Sequence, residues 1–482
     1  MVLTSTATTP GPNVISQNVI HTLSNNSGAI SNSIYALYGS FPATTANVVE
    51  RNLVHSLSMT SSVTTGQLVG ILPVAGSGTY KNNMVRLGLD AAGNSITAGL
   101  AVYGMFEIAG TNNIYNNSVY VGGSGVISAS NTFGFVSNVT TGTRNYVDNI
   151  FWNARSNASG AGKNYAITLS GVTGATSNYN DLYASGTGGF VGLFSTVDQL
   201  TLADWRTATG QDLNSISANP VFVNPTGDAA TFDLHLDCGS PALETGTPIV
   251  SVTNDFDNDP RSATTPDIGA DEVNFVAPTA LSAVSRKTHG AAGDFDIALP
   301  GVESRSGGAN GDHQLVVTFG TAVNVGSVSV TSGVGSVVNA TGNGTNTITV
   351  NLTGVANAQY LTVKLGCTDD GVNIGDVSVT MGVLLGDASG DGTVQAGDTI
   401  IVRNLSGTVT TQPTAPADVN VDGVINVSDT IIVRGANGSA LPPSAPARAF
   451  EAPVPSKLPT LPGSILAVPA VAELEAVAES EK

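Results

Sequence analysis

Two stretches near the C-terminus of this 482-residue chain carry the residues best suited to chemistry: "GDASGDGTVQAGDTIIVRNLSG" and "ADVNVDGVINVSDTIIVRGANG". Only 11% of the chain is charged, so acids gathered in matched loops need a reason. The first loop offers Asp387, Ser389, Asp391, Gly392, the Thr393 carbonyl and Asp398. The second offers Asp418, Asn420, Asp422, Gly423, the Val424 carbonyl and Asp429. These fall at positions 1, 3, 5, 6, 7 and 12 of an oxygen-donor loop. Ca²⁺ takes about six to eight oxygens at about 2.3–2.6 Å, and glycine at the sixth position permits the sharp turn. The two loops lie in register 31 residues apart, and each runs into the same "DTIIVR" segment. The pattern predicts two calcium ions, with one short helix after each loop. Apolar Val394 and Ile425, at the eighth position of each loop, are expected to pair the loops with one another.

Asp rather than Glu at the last ligand position, one helix per loop and the tandem duplication together resemble a dockerin, within a small helical module at 387–440. The resemblance implies a cohesin-like partner, met through Ala396, Gly397, Val427 and Ser428, with Arg403 and Arg434 on the helices. Two features depart from that pattern. Ser389 stands where Asn is usual, and Gly435 is expected to break the second helix early. A segment this small has too little core to fold unaided, so the metal would supply folding energy.

Upstream, an Asn-centred motif recurs: "ISQNVIH", "VERNLVH", "YKNNMVR", "IYNNSVY", "YVDNIFW" and "SNYNDLY", centred on Asn18, Asn52, Asn83, Asn117, Asn149 and Asn180. The spacings are 34, 31, 34, 32 and 31. A period of this size marks stacked repeats, each unable to bury its apolar face alone. A second apolar series, near Ile71, Val102, Phe135 and Ile167, keeps the same register. The pattern resembles the right-handed parallel β-helix of the pectate-lyase-like superfamily over residues 1–275. Ile15/Ile20, Val49/Val54, Ile114/Val119 and Tyr146/Phe151 should point inward, and the Asn should form a ladder at the turns. The closing segments, from "ADWRTATGQDLNS" to "DFDNDPRSATTPDIGADEV", are similar to the C-terminal end of secreted bacterial β-helix proteins. On that likeness Asp255, Asp257, Asp259, Asp267 and Asp271 are expected to form turns rather than a metal site.

Polysaccharide lyases on this fold use clustered acids for calcium with an Arg or Lys base, and hydrolases use paired carboxylates. Here the coil acids Glu50, Asp90, Glu107, Asp148 and Asp181 are scattered, and GxSxG, HExxH and CxxC are absent from the sequence. Glu50, Arg51 and Lys81 could meet on an outer face, as a catalytic trio or as a solvated ion-pair cluster. Three residues after each ladder Asn come His21, His55, Arg86, Tyr120, Trp152 and Tyr183. Strand alternation turns this column outward, with members about 4.8 Å apart. It is either a platform for sugar rings or a self-stacked ladder beneath a surface loop. Two functions therefore stay open: an adhesion or polysaccharide-binding protein, or a polysaccharide lyase or glycoside hydrolase tethered by its C-terminal module.

Residues 276–386 lose the period and alternate like strands, resembling the immunoglobulin-like β-sandwich spacers of bacterial surface proteins. The tail 441–482 is Pro/Ala-rich and expected to be disordered. The fold class is thus mainly β, ending in a small α-helical module. A net charge of −19 excludes nucleic acid as a partner, and no apolar run reaches membrane-spanning length. Cys238 and Cys367 fall in different predicted domains and are expected to be separate thiols. Composition and millimolar-calcium chemistry point to the outside or surface of a bacterial cell. The first residues lack a signal peptide, from which a start further upstream is expected.

Overall fold

A computed structural model describes residues 2–4, 12–26, 32–42, 47–59, 66–127 and 130–443. The expectation of a disordered tail lies outside the described residues from 444 onward. The chain divides into two compact units, Met1–Phe275 with Gly366–Asp376, and Val276–Leu365 with Val377–Lys482.

The first unit is a β-solenoid of about 5 turns built on three parallel sheets. One contains Ser33–Ser40, Gln67–Ala75, Ala101–Glu107, Thr132–Ser137, Asn164–Leu169 and Gly189–Phe194. A second runs from Val14–Ser16 through Asn47–Glu50, Gly78–Lys81, Asn113–Tyr115 and Arg144–Val147 to Ala175–Asn178. The third stacks Val19–His21, Leu53–His55, Met84–Leu87, Ser118–Val121, Ile150–Asn153 and Asp181–Ala184. Ile15, Val49, Ile114 and Tyr146 face Val54, Val119 and Phe151 in one buried core.

The ladder Asn residues sit at the corner between the second and third sheets. The residue before each of them has a left-handed backbone: Gln17, Arg51, Asn82, Asn116, Asp148 and Tyr179, with φ between 48° and 58°. That conformation costs a side-chain-bearing residue roughly 1–2 kcal/mol, and the ladder offsets it. Asn117 Nδ2 donates to the Tyr80 and Tyr115 carbonyls and to Asn149 Oδ1, while its Oδ1 accepts from the main-chain and side-chain nitrogens of Asn83. The series ends at Asn180, whose Nδ2 meets Asp212 Oδ1 at 3.0 Å. Asp212 is held in turn by the buried Trp205 of helix α1 (Leu202–Thr209), whose Nε1 lies 2.7 Å from Oδ2.

The cysteines are not separate thiols. Cys238 and Cys367 form a disulfide with Cα atoms 5.6 Å apart. The tip of a hairpin, residues 366–376, groups with the first unit although its strands belong to the second. A domain boundary drawn along the sequence cannot show such an excursion.

The second unit begins with eight strands in one hydrogen-bonded network, from Ala280–His289 to Ile374–Val383, around a core that includes Leu315, Val317, Val350 and Val363. It ends in helices α2 (Ala396–Asn404) and α3 (Val427–Gly435), packed over Leu384, Val394, Val402, Val419, Ile425 and Val433.

Candidate functional site

Each acidic loop closes on the first turn of its helix. In loop one, the Asp387 carboxylate accepts the amides of Gly390, Asp391 and Gly392 and the Ser389 hydroxyl. Asp398 takes the Ser389 and Gln395 amides, one on each oxygen at 2.9 Å. Loop two repeats this: Asp429 takes the Asn420 and Asn426 amides. Asp422 is bonded through Asn420 and the Val424 amide, as Asp391 is through the Thr393 amide and hydroxyl. Asp387, Asp398, Asp418 and Asp429 are all buried, whereas Asp391 and Asp422 are open to solvent. Burial pushes the Asp387 and Asp429 carboxyls above the usual range against the pull of the loop amides. Burial also works against ionisation of Asp418, but donors from His289, Thr410 and Gly423 outweigh it and hold that carboxyl low.

One oxygen tests whether the loops suit a hard cation. Asp418 Oδ1 is buried and has no hydrogen-bond partner. An orphaned carboxylate oxygen is costly unless something meets it. It lies at the first ligand position, among side-chain and carbonyl oxygens of the kind Ca²⁺ prefers. Asp387, Ser389, Asp391, the Thr393 carbonyl and Asp398 would hold one ion, and Asp418, Asn420, Asp422, the Val424 carbonyl and Asp429 the other.

Two details differ from expectation. The loops do not pair with each other through the main chain. Thr393 bridges to Ala440, while Val424–Ile425 pairs with Thr408–Val409; Val394 and Ile425 meet only as core side chains. Nor does Gly435 shorten the second helix, since α2 and α3 both run 9 residues.

In the solenoid the outward column stacks in register, His21 on His55 on Arg86 on Tyr120 on Trp152 on Tyr183. It is not an open platform. Phe222, Phe232 and Leu234 pack on it, and Arg86 donates to the Pro225 and Gly227 carbonyls. His55, Arg86 and Tyr120 are thereby buried and present no face to a sugar. Trp152 packs against Tyr120, Tyr183 and Phe222 and donates to Ser185. Of the candidate trio, Glu50 and Lys81 form an ion pair at 3.3 Å, but Arg51 reaches Asn258 instead. Glu107 is enclosed in the solenoid with Asn112, Ser137 and Tyr146. Asp255 and Asp267 each accept two main-chain amides, as turn-formers do.

A groove of about 500 Å³ beside the covered column brings together His21, His55, Phe232, Asp233, His235 and Phe256. His235 lies between Asp233 (2.5 Å) and Asp257 (2.7 Å). The Asp257 hydrogen bond, with Asp271 and Asp233 nearby, raises the imidazole to about 10 against the effect of burial. At neutral pH it is a fixed cation, unsuited to serve as a base. Burial lowers His55 to about 4, with His21 and Arg86 adding to the shift. Sequence reading missed this groove because Phe232, Asp233, His235 and Phe256 lie outside the repeat that places His21 and His55.

A parallel β-solenoid followed by a helix pair with matched acidic loops is the class of protein that these elements define. The family model of the dockerin type I domain matches residues 385–436. Dockerin type I domains bind calcium and attach to cohesin modules. No match to the chain was found among curated proteins or among solved structures. No helix among the described residues is long and apolar enough to cross a membrane.

Proposed function

We propose that this is a secreted bacterial protein whose dockerin, holding two calcium ions, fastens a polysaccharide-engaging β-solenoid to a cohesin-bearing partner. The observation that carries the attachment is the pair of matched loops, with Asp418 Oδ1 buried and unmet. The free face of the helix pair supports it. Ile400 and Ile431 hold equivalent places in the two repeats, and both are exposed, at 54% and 64%. Arg403, Arg434 and Val427 lie exposed on the same helices. Ala396, Gly397 and Ser428 complete the positions through which the partner would be met. The disulfide supports an oxidising compartment.

The test is retention of the full chain on immobilised cohesins with calcium and with EDTA. Ile400→Asp with Ile431→Asp should abolish retention while leaving calcium uptake unchanged. Retention by no cohesin in calcium would overturn the attachment reading.

For the solenoid, polysaccharide binding in a pectate-lyase-like fold is the reading we favour, located at the groove beside His21 and His235 rather than along the covered column. The apolar rings of Phe232 and Phe256 in that groove suit the face of a sugar. A second reading, lyase or hydrolase, rests on the Asp257 carboxylate in hydrogen-bond contact with the His235 imidazolium. Turnover in a screen of pectin, alginate and glycosaminoglycans would decide for the enzyme, and binding without turnover for the adhesion reading.

A further inference from the structure

The two calcium loops are held differently. Every donor to Asp387 comes from loop one itself. Asp418 Oδ2 instead accepts His289 Nδ1 at 2.8 Å and the Thr410 hydroxyl at 2.6 Å, besides the Gly423 amide at 2.9 Å. His289 ends the first strand of the middle β region, 129 residues before Asp418, and both side chains are fully buried. The ring's other nitrogen faces Arg305 Nη1 at 3.1 Å. A guanidinium can only donate, so Nε2 accepts and the ring proton sits on Nδ1, aimed at Asp418. Arg305 is fixed by a two-point contact with buried Glu303 (2.8 and 2.7 Å) and by the Phe295 and Ser285 carbonyls. The main chains also touch. A Cβ on Gly290 would fall 2.3 Å from the Asp422 carbonyl oxygen, and one on Gly423 would fall 2.7 Å from that of His289.

We propose that His289 is a positioning residue for the second calcium site: by engaging Asp418 Oδ2 it turns Oδ1 toward the ion. Glu303 and Arg305 hold the imidazole for that task. Loop one is self-contained, whereas loop two borrows its orientation from the middle β region. By linkage, calcium in loop two then secures the contact with the 289–290 turn. The inference rests on the calcium reading of the loops. Partners that orient a ligand in this way typically contribute about 10–100-fold in metal affinity.

The test uses the full chain with calcium alone as the probe, read by calorimetric titration and native mass spectrometry. Asp391→Ala disables loop one, so the remaining isotherm reports loop two. In that background His289→Ala should weaken binding by about 10–100-fold. His289→Asn, whose amide can stand where Nδ1 stands, should recover most of the loss, and His289→Gln should not. With loop two disabled by Asp422→Ala, His289→Ala should leave loop one unchanged. Unaltered loop-two affinity in His289→Ala, or equal losses at both loops, overturns the proposal while calcium binding stands. If His289→Ala loses its β circular dichroism, the Asn and Gln variants decide: equal affinities for the two overturn it. Uptake of no calcium by the wild-type chain overturns the calcium reading itself.

Discussion

The Asn ladder can be tested by comparing its middle with its end. Asn117→Ala removes a side chain making five hydrogen bonds in a fully buried corner: three donated by Nδ2, and two accepted by Oδ1 at 3.0 and 2.8 Å. The Asn83 main-chain N–H loses its acceptor outright, which costs about 1–3 kcal/mol. The other four bonds contribute about 0.5–1.5 kcal/mol each. Even at the low end of these ranges, the loss is about 3 kcal/mol. Asn18→Ala, at the first rung, forfeits only the bonds from Nδ2 to the Ser16 carbonyl and Asn52 Oδ1, so about 1 kcal/mol. The chain has 2 tryptophans, Trp152 and Trp205, and both lie in the first unit. Tryptophan fluorescence, excited where tyrosine does not absorb, therefore reports the first unit alone during urea unfolding. The middle variant should unfold at clearly lower urea than the end variant. Equal shifts for the two would refute the idea that the ladder holds the left-handed corners.

Further outcomes follow from the same contacts. EDTA should abolish the helical signal of α2 and α3 while leaving tryptophan fluorescence unchanged, and helices that persist in EDTA would show a module that folds without metal. Cys238→Ser should cost about 2–4 kcal/mol, and a native wild-type chain with two titratable thiols would contradict the pairing. His235, raised to about 10, should keep its ring proton from about pH 6 to about pH 8 by nuclear magnetic resonance. Because its folded value lies above the unfolded value near 6.5, its support for the folded state is complete below that pH and fades as pH rises through about 10. Ordinary titration near 6.5 would break the assignment. Trp152→Ala with Tyr183→Ala should lower the unfolding midpoint, because Trp152 packs against Phe222 and Tyr120; a stable double variant that loses polysaccharide retention would restore the platform reading.

What could be read from sequence was whatever repeats. The Asn period, the inward pairs and the two acidic loops each recur at near-constant spacing, and recurrence separates a signal from chance. The outward column was also legible as a column: all six residues stack in register. Its cover was not legible, because residues 219–237 show no period that ties them to a particular face. The same limit applies to Cys238 with Cys367 and to His289 with Asp418, each pair 129 residues apart. Contacts between non-repeating segments leave no spacing to detect. The loop-to-loop pairing expected of Val394 and Ile425 failed for a related reason. An apolar residue at a fixed position declares burial, but not which backbone it lies beside.

Among the described residues, the carboxylates that follow the last coil and those of the two loops are distinguished by their bonding. In the segment that follows the last coil, Asp255 spends its oxygens on the Asp259 and Glu272 amides, and Asp267 on those of Glu244 and Val273. Carboxylates so committed stitch turns together and leave little for a cation. Loop one lies between the extremes, with Asp387 holding its own turn through amides that a bound ion need not displace. In loop two three donors converge on one oxygen of Asp418, two of them from outside the loop, and the other oxygen is buried with nothing to meet it. Asp148 and Asp181 in the solenoid also leave one buried oxygen unmet, but burial raises those carboxyls to about 8 and about 7, so a proton can occupy the oxygen. Asp418 is held low by its donors instead, and an ionised oxygen at the first position of an oxygen-rich loop is what a hard cation would meet.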